Sequence, residues 1–291
     1  VAAPVRTDPP RHGDQPDMTR SLIPGGGFGG LSVANELRRL AGPDHDIVVL
    51  DRSEHFMMGL RKLWALVGLG TLEAGCRSRT LLEQRGIRFL MRDITSIDPA
   101  TLTVVTESGE LSCDYLVVAL GAVPRPDLVP GLAEHAHNVW DVSSVPGLRQ
   151  VLERFEGGRI AIVIAGVPYT CPPAPYECAM LLDDHLRERG IRADTDIAVT
   201  TLQPILMPNA GVEGSTWVGE QLSARGIRFE TGKRIKSVDT GRVRYTDSEL
   251  EFDVLIGVPP HRPPPVVTQS GMAGDGVWIT VDPGTLRNFH E

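Results

Sequence analysis

The sequence predicts an α/β fold built twice along one chain, and three observations predict it. Short continuous apolar runs, IVVL at 47–50 and IAIVI at 160–164, have the composition of strands buried on both faces. Such runs alternate with helical patterns, as at 31–40, which is the signature of a parallel sheet covered by helices. Finally, the pattern repeats. RGIRF at 85–89 recurs at 225–229, and three further features recur in the same order at offsets of 139 to 141 residues.

Each unit reads as strand, turn, helix and strand, then a small antiparallel insert and a returning strand. The first begins at SLI (21–23) before Gly25, and the second at IAIVI (160–164) before Gly166. After each RGIRF comes a polar stretch ending in Asp98 or Asp239, then a hairpin-like segment. The returning strands are DYLVVALG (114–121) and DVLIGVPP (253–260). Near the end, VWITV at 277–281 reads as one more strand. The first domain is therefore placed at 20–155, with 259–291 returning to it, and the second at 156–258. Residues 1–19 are polar and Pro-rich and read as a disordered tail without the apolar stretch of a secretory signal. Met18 leaves open whether the native chain starts there.

Composition narrows the function. The 291 residues are 41% hydrophobic and 23% charged, with a net charge of −8. That composition supports a packed core, and no basic run points to nucleic acid. No apolar stretch approaches the ~18 residues of a membrane span. The reading is a cytoplasmic protein, with peripheral attachment to a membrane as the alternative. Four cysteines without a C-x-x-C pair argue against a disulfide scaffold or a zinc site.

The first turn, Gly25-Gly26-Gly27-Phe28-Gly29-Gly30, fits G-x-G-x-x-G through Gly25, Gly27 and Gly30. These allow, in order, a tight turn, close approach of backbone to a pyrophosphate, and close packing of helix on strand. The helix N-terminus that follows offers amides to phosphate. Asp51, with Arg52 after it, ends the next strand, where a carboxylate accepts hydrogen bonds from ribose hydroxyls. The alternative is a Gly-rich turn with no ligand. In the second unit Gly166 is followed by VPYTCPPAPYEC (167–178), prolines standing where the glycines were. The next strand ends in Thr200-Thr201, with no acid. The second unit reads as one no longer built for a dinucleotide.

GGGFGG, the terminal Asp51, the 114–121 segment and CPPAPYE (171–177) together resemble the two-dinucleotide-binding-domain flavoproteins. Within them the chain is similar to the flavocytochrome c sulfide dehydrogenase flavoprotein subunit and the sulfide:quinone oxidoreductases. The resemblance implies two Rossmann-like (FAD/NAD(P)-binding) domains of the pyridine nucleotide-disulfide oxidoreductase type, C-terminally truncated, with FAD in the first. It puts Gly25, Gly27 and Gly30 at the pyrophosphate, Asp51 at the ribose, and Ala119 and Gly121 at a turn beside the cofactor. It places Lys62 near the flavin ring, the alternative being a solvated helix charge. Cys171 matches the redox cysteine, for which a lowered pKa is expected, and Glu177 is placed to manage protons.

The implied function is an FAD-dependent oxidoreductase, taking electrons from sulfide or a related sulfur species through Cys171 and FAD to a cytochrome or quinone, with dimerisation a possibility. An NADH-dependent flavin reductase and an inactive relic are the rival readings. A flavin-side Gly-Asp motif and a second redox cysteine, which the resemblance implies, are not found; Gly274-Asp275 is not that motif. Cys178 could partner Cys171 only with Cα atoms within ~7 Å. Cys178 reads as helical and buried, Cys76 and Cys113 as structural, and His261 as a satisfied loop histidine.

Overall fold

A computed structural model describes residues 18–59 and 61–288. Apart from residues 18 and 19, the expected tail lies outside the described residues. The chain divides into two compact units. Among the described residues, one holds 18–56, 77–122 and 263–288, and the other holds 57–76 and 123–262.

The first unit is organised by a parallel sheet in the order Arg88–Met91, Asp46–Asp51, Arg20–Pro24, Tyr115–Leu116. Its side chains alternate between two apolar layers, as period-two strands dictate. Ile23, Ile47 and Val49 pack with Ala34 of the Phe28–Leu40 helix; Leu22, Val48 and Leu50 pack with Ile97, Val104 and Met272. Both faces are buried, which is why the strands are apolar throughout rather than alternating. Pro24 ends its strand, where its missing N–H costs the ladder nothing, and its carbonyl accepts from Ala119 N–H at 2.7 Å.

The second unit repeats the plan. Its parallel sheet runs Arg228–Glu230, Thr195–Thr201, Gly158–Ile164, Val254–Val258. Ile160, Ile162 and Ile164 face one layer, built on the Ala174–Glu188 helix, while Ala161 and Val163 face Val238, Val243 and Phe252. The strand orders correspond position by position, so the sequence repeat is a repeat of topology.

Three expectations change. The polar stretches before each hairpin are themselves strands, Ile94–Asp98 and Ile235–Asp239, making three-stranded inserts. Each contributes one buried side chain, Ile97 or Val238, and that single anchor escaped the pattern. The strand expected at 277–281 does not form; Val277 and Trp278 are exposed, and Val281 makes only an isolated bridge to Asn288. The domain limit near 155 also moves. Leu148 and Leu152 of the Val145–Arg154 helix, and Leu63 and Leu66 of the Arg61–Leu66 helix, are buried in the second unit's core, so these segments belong to it.

Candidate functional site

In the first unit the chain leaves the Arg20–Pro24 strand, turns at Gly25 and enters the Phe28–Leu40 helix. Gly25 has φ +104°, and a Cβ there would lie 2.2 Å from the Ala119 carbonyl oxygen. A Cβ on Gly30 would lie 1.8 Å from the Gly25 carbonyl oxygen. These two glycines are required by the fold itself. Gly27 differs: a Cβ there would meet nothing within 4 Å. It is the N-cap, and no side chain caps the first-turn amides. An open glycine cradle at the N-terminus of a 13-residue helix fits a pyrophosphate.

Asp51 ends the Asp46–Asp51 strand beside this turn. Its Oδ2 accepts from Gly26 N–H at 2.8 Å and its Oδ1 from Ser53 N–H at 3.0 Å. Sequence reasoning missed Arg79, 53 residues from Gly26. It is 7% exposed; its Nε donates to the Gly26 carbonyl at 2.7 Å, its Nη1 to the Ser53 carbonyl at 2.7 Å, and its Nη2 lies 3.3 Å from Asp51 Oδ2. Burial pulls the guanidinium below its usual pKa, and Asp51 opposes that. Arg79 thus clamps the glycine turn to its acid. Its only sequence mark is Ser78, whose hydroxyl accepts from Thr80 N–H and opens the Arg79–Arg85 turn.

Of the other expected residues, Ala119 packs its carbonyl over Gly25, and Gly121 has φ +67°. Arg52 and Gly29 are exposed. Phe28 is exposed and sits edge-on to Phe56 with centroids 4.9 Å apart. One consequence of the clamp is measurable. Asp51→Ala leaves Arg79 and the Gly26 amide short of an acceptor, and we expect a loss of about 2–3 kcal/mol. Urea unfolding of cofactor-stripped protein reads it, and an unchanged midpoint would refute the clamp.

The second unit places a different chemistry at the equivalent turn. Cys171 is exposed and has φ +58°, a left-handed conformation rare for a residue with a side chain. Pro172 and Pro173 follow it, and the Ala174–Glu188 helix begins at once. The thiol therefore stands just ahead of a helix N-terminus, where the Ala174 N–H donates to the Cys171 carbonyl at 3.0 Å and favours the thiolate. The lowered pKa expected from sequence is not found. Burial pushes the Cys171 thiol up; the Ala174 amide opposes this, nearby Glu177 adds to it, and Lys62 opposes it. Glu177 is on the helix's first turn.

Lys62 is no solvated helix charge. Its Nζ donates to the Trp140 carbonyl at 2.8 Å, and burial pulls its pKa down against Asp141 and Cys171. His261 is 2% exposed; its Nδ1 lies 3.0 Å from the Pro259 carbonyl and its Nε2 3.3 Å from Thr170 Oγ1, so both nitrogens are satisfied. Cys178 is a buried free thiol whose pKa burial pushes up to about 12, and Cys171 is also free. Thr200 and Thr201 are buried, Thr200 pairing with the Tyr245 hydroxyl at 2.7 Å. Among the described residues no helix is long and apolar enough to cross a membrane, and no cluster of metal ligands forms.

Relatives support the same assignment. The chain is 24% identical over 285 residues to the mitochondrial sulfide:quinone oxidoreductase of Mus musculus, covering 92% of this chain and 62% of the relative. It is 27% identical over 291 residues to the mitochondrial enzyme of Dictyostelium discoideum, covering 94% and 63%. The chain thus spans less than two thirds of these relatives. An X-ray structure of the sulfide:quinone oxidoreductase from Aquifex aeolicus shares the fold, with TM-score 0.81 at 24% identity over 93% of this chain and 64% of that one. A family model described as pyridine nucleotide-disulphide oxidoreductase matches residues 19–257. Since that match takes in the glycine turn, the Cys171 loop and all but the last residue of both parallel sheets, the chain belongs to this FAD-dependent oxidoreductase family.

Proposed function

We propose that this chain acts as an FAD-dependent, sulfide-oxidising oxidoreductase of the sulfide:quinone type. The observation that carries the reading is Cys171: an exposed thiol in left-handed backbone at a helix N-terminus, on the loop that replaces the second glycine turn. Such a conformation persists only where the surroundings impose it, and imposed strain clusters at working sites.

FAD, when bound, supplies a two-electron acceptor. Gly25 to Gly30 would hold its pyrophosphate, Asp51 and Arg52 its adenosine ribose, and Ala119 and Gly121 the passage beside it. Cys171 supplies the nucleophilic sulfur, whose thiolate is the reactive form. Glu177 takes up the proton that the sulfur gives up. The acceptor of electrons is a quinone in this reading, a cytochrome being the other outcome; dimerisation and peripheral attachment to a membrane are proposed with it.

The NADH-dependent reading is disfavoured by Thr200-Thr201, which offers no carboxylate to a ribose. Anaerobic mixing of the flavin-loaded chain separates the two. Sulfide is expected to bleach the visible flavin bands, and NADH to do so far more slowly. Rapid bleaching by NADH alone would replace this reading with the reductase.

A further inference from the structure

Two hydrogen bonds that share one residue join Lys62 to the Cys171 loop. Lys62 Nζ donates to the backbone carbonyl of Trp140 at 2.8 Å. The indole Nε1 of Trp140 donates to the carbonyl of Thr170, the residue before Cys171, at 2.7 Å. The backbone of Trp140 thus holds the ammonium while its side chain holds the loop. Trp140 is fixed in turn: its N–H donates to Asn138 Oδ1 at 3.0 Å, and its ring meets Tyr169 edge-on with centroids 6.3 Å apart.

A partly buried ammonium needs an anion or full hydrogen bonding. Among the described residues no carboxylate forms an ion pair with Lys62. Two nearby groups favour its charged form, Asp141 and Cys171. Asp141 is already engaged, its Oδ1 accepting from Ser143 N–H at 3.0 Å.

We propose that Lys62 is the counter-ion of the Cys171 thiolate and that Trp140 is the positioning residue that keeps the two in register. Glu177 on the helix's first turn disfavours the sulfur's ionisation; Tyr169 lies near it as a neutral phenol, and His261, which meets Thr170 Oγ1 at 3.3 Å, is held neutral by burial and by Lys62. Lys62 is the cation that opposes burial and Glu177 at this thiol. When Cys171 ionises, its proton passes to Glu177 and on to solvent, and the ammonium stays charged. The role differs from contact with a flavin ring, and it rests on the reading of Cys171 as the reacting sulfur.

The test is the pH profile of iodoacetamide alkylation at Cys171 in the full chain, read by mass spectrometry of its peptide. Alkylation joins carbon to sulfur and releases iodide, so it needs neither sulfide nor flavin turnover. Lys62→Gln keeps a donor for the Trp140 carbonyl and removes the charge. We expect its apparent pKa to rise by about one unit, with a roughly tenfold slower rate at neutral pH. Lys62→Arg should restore most of the rate. Trp140→Phe, which lacks the indole N–H, should shift the profile the same way by less. Adding it to Lys62→Gln should cost little more, because the two act through one contact.

Profiles of Lys62→Gln and native protein that superpose, with matching circular dichroism, overturn the proposal; so does an equal loss in Lys62→Arg. If Lys62→Gln does not fold, an unshifted profile in Trp140→Phe overturns it. Sulfide bleaching is a separate readout. A shifted alkylation profile without bleaching sinks the sulfide reading and leaves the counter-ion standing, and the converse sinks only the counter-ion.

Discussion

Gly27→Ala is expected to leave the fold intact and to strip the first unit of its cofactor, whereas Gly30→Ala is expected to break the fold itself. Gly27 has φ −85° and ψ −164°, a conformation open to any residue, and a methyl there would touch no protein atom within 4 Å. Its stability cost is limited to the poorer N-cap, about 1 kcal/mol or less. The methyl would instead stand where a pyrophosphate must meet bare backbone, and we expect at least a roughly tenfold loss of FAD affinity, about 1.4 kcal/mol. At Gly30 the same methyl would fall 1.8 Å from the Gly25 carbonyl oxygen, which is backbone and cannot rotate away. The turn must open, at a cost of about 3 kcal/mol or more. Urea unfolding of the apoprotein and fluorescence titration with FAD read the pair. A Gly27→Ala protein that binds FAD as tightly as the native one would rule out this cradle.

Cys171→Ser should reduce the rate of sulfide-driven flavin bleaching by about 10³-fold or more while leaving FAD content unchanged, because a serine hydroxyl cannot take the thiolate's part. Cys178→Ser is a control, since the Cys178 thiol is buried and held neutral. The native alkylation rate at Cys171 should climb with pH. Its pKa is raised, so it is mostly thiol below the ordinary thiol range, and each pH unit gives about tenfold more thiolate until that pKa is reached. Backbone strain adds a second signature. At φ +58° glycine is at ease and cysteine is not, so Cys171→Gly should be inactive yet at least as stable as the native chain. A Cys171→Gly protein markedly less stable in urea would show that the conformation is not strained.

Much of the fold was legible because its signals are local. Continuous apolar runs, a helix opened by glycines and a repeat at near-constant offset each occupy a few adjacent residues, and both sheets appear in matching strand order. The inserts were harder. Ile97 and Val238 are single buried anchors in otherwise polar stretches, too few for a pattern to register. The 277–281 segment failed in the opposite sense: it has strand composition and finds no sheet partner, since pairing is a property of neighbours rather than of the run itself.

Where backbone must come close and where a charge must end a strand could be read residue by residue along the chain. Gly25, Gly30 and Asp51 could be named because those demands fall on a residue's own conformation and its place along the chain. How distant groups meet was settled by packing. It set Arg79 against Gly26 and Asp51, tied Lys62 through Trp140 to the loop of Cys171, and gave that thiol a raised pKa where its match to a redox cysteine had implied a lowered one. The reason is physical. A side chain's hydrogen-bond partners and its desolvation depend on every element packed around it, and those elements come from positions dozens of residues apart.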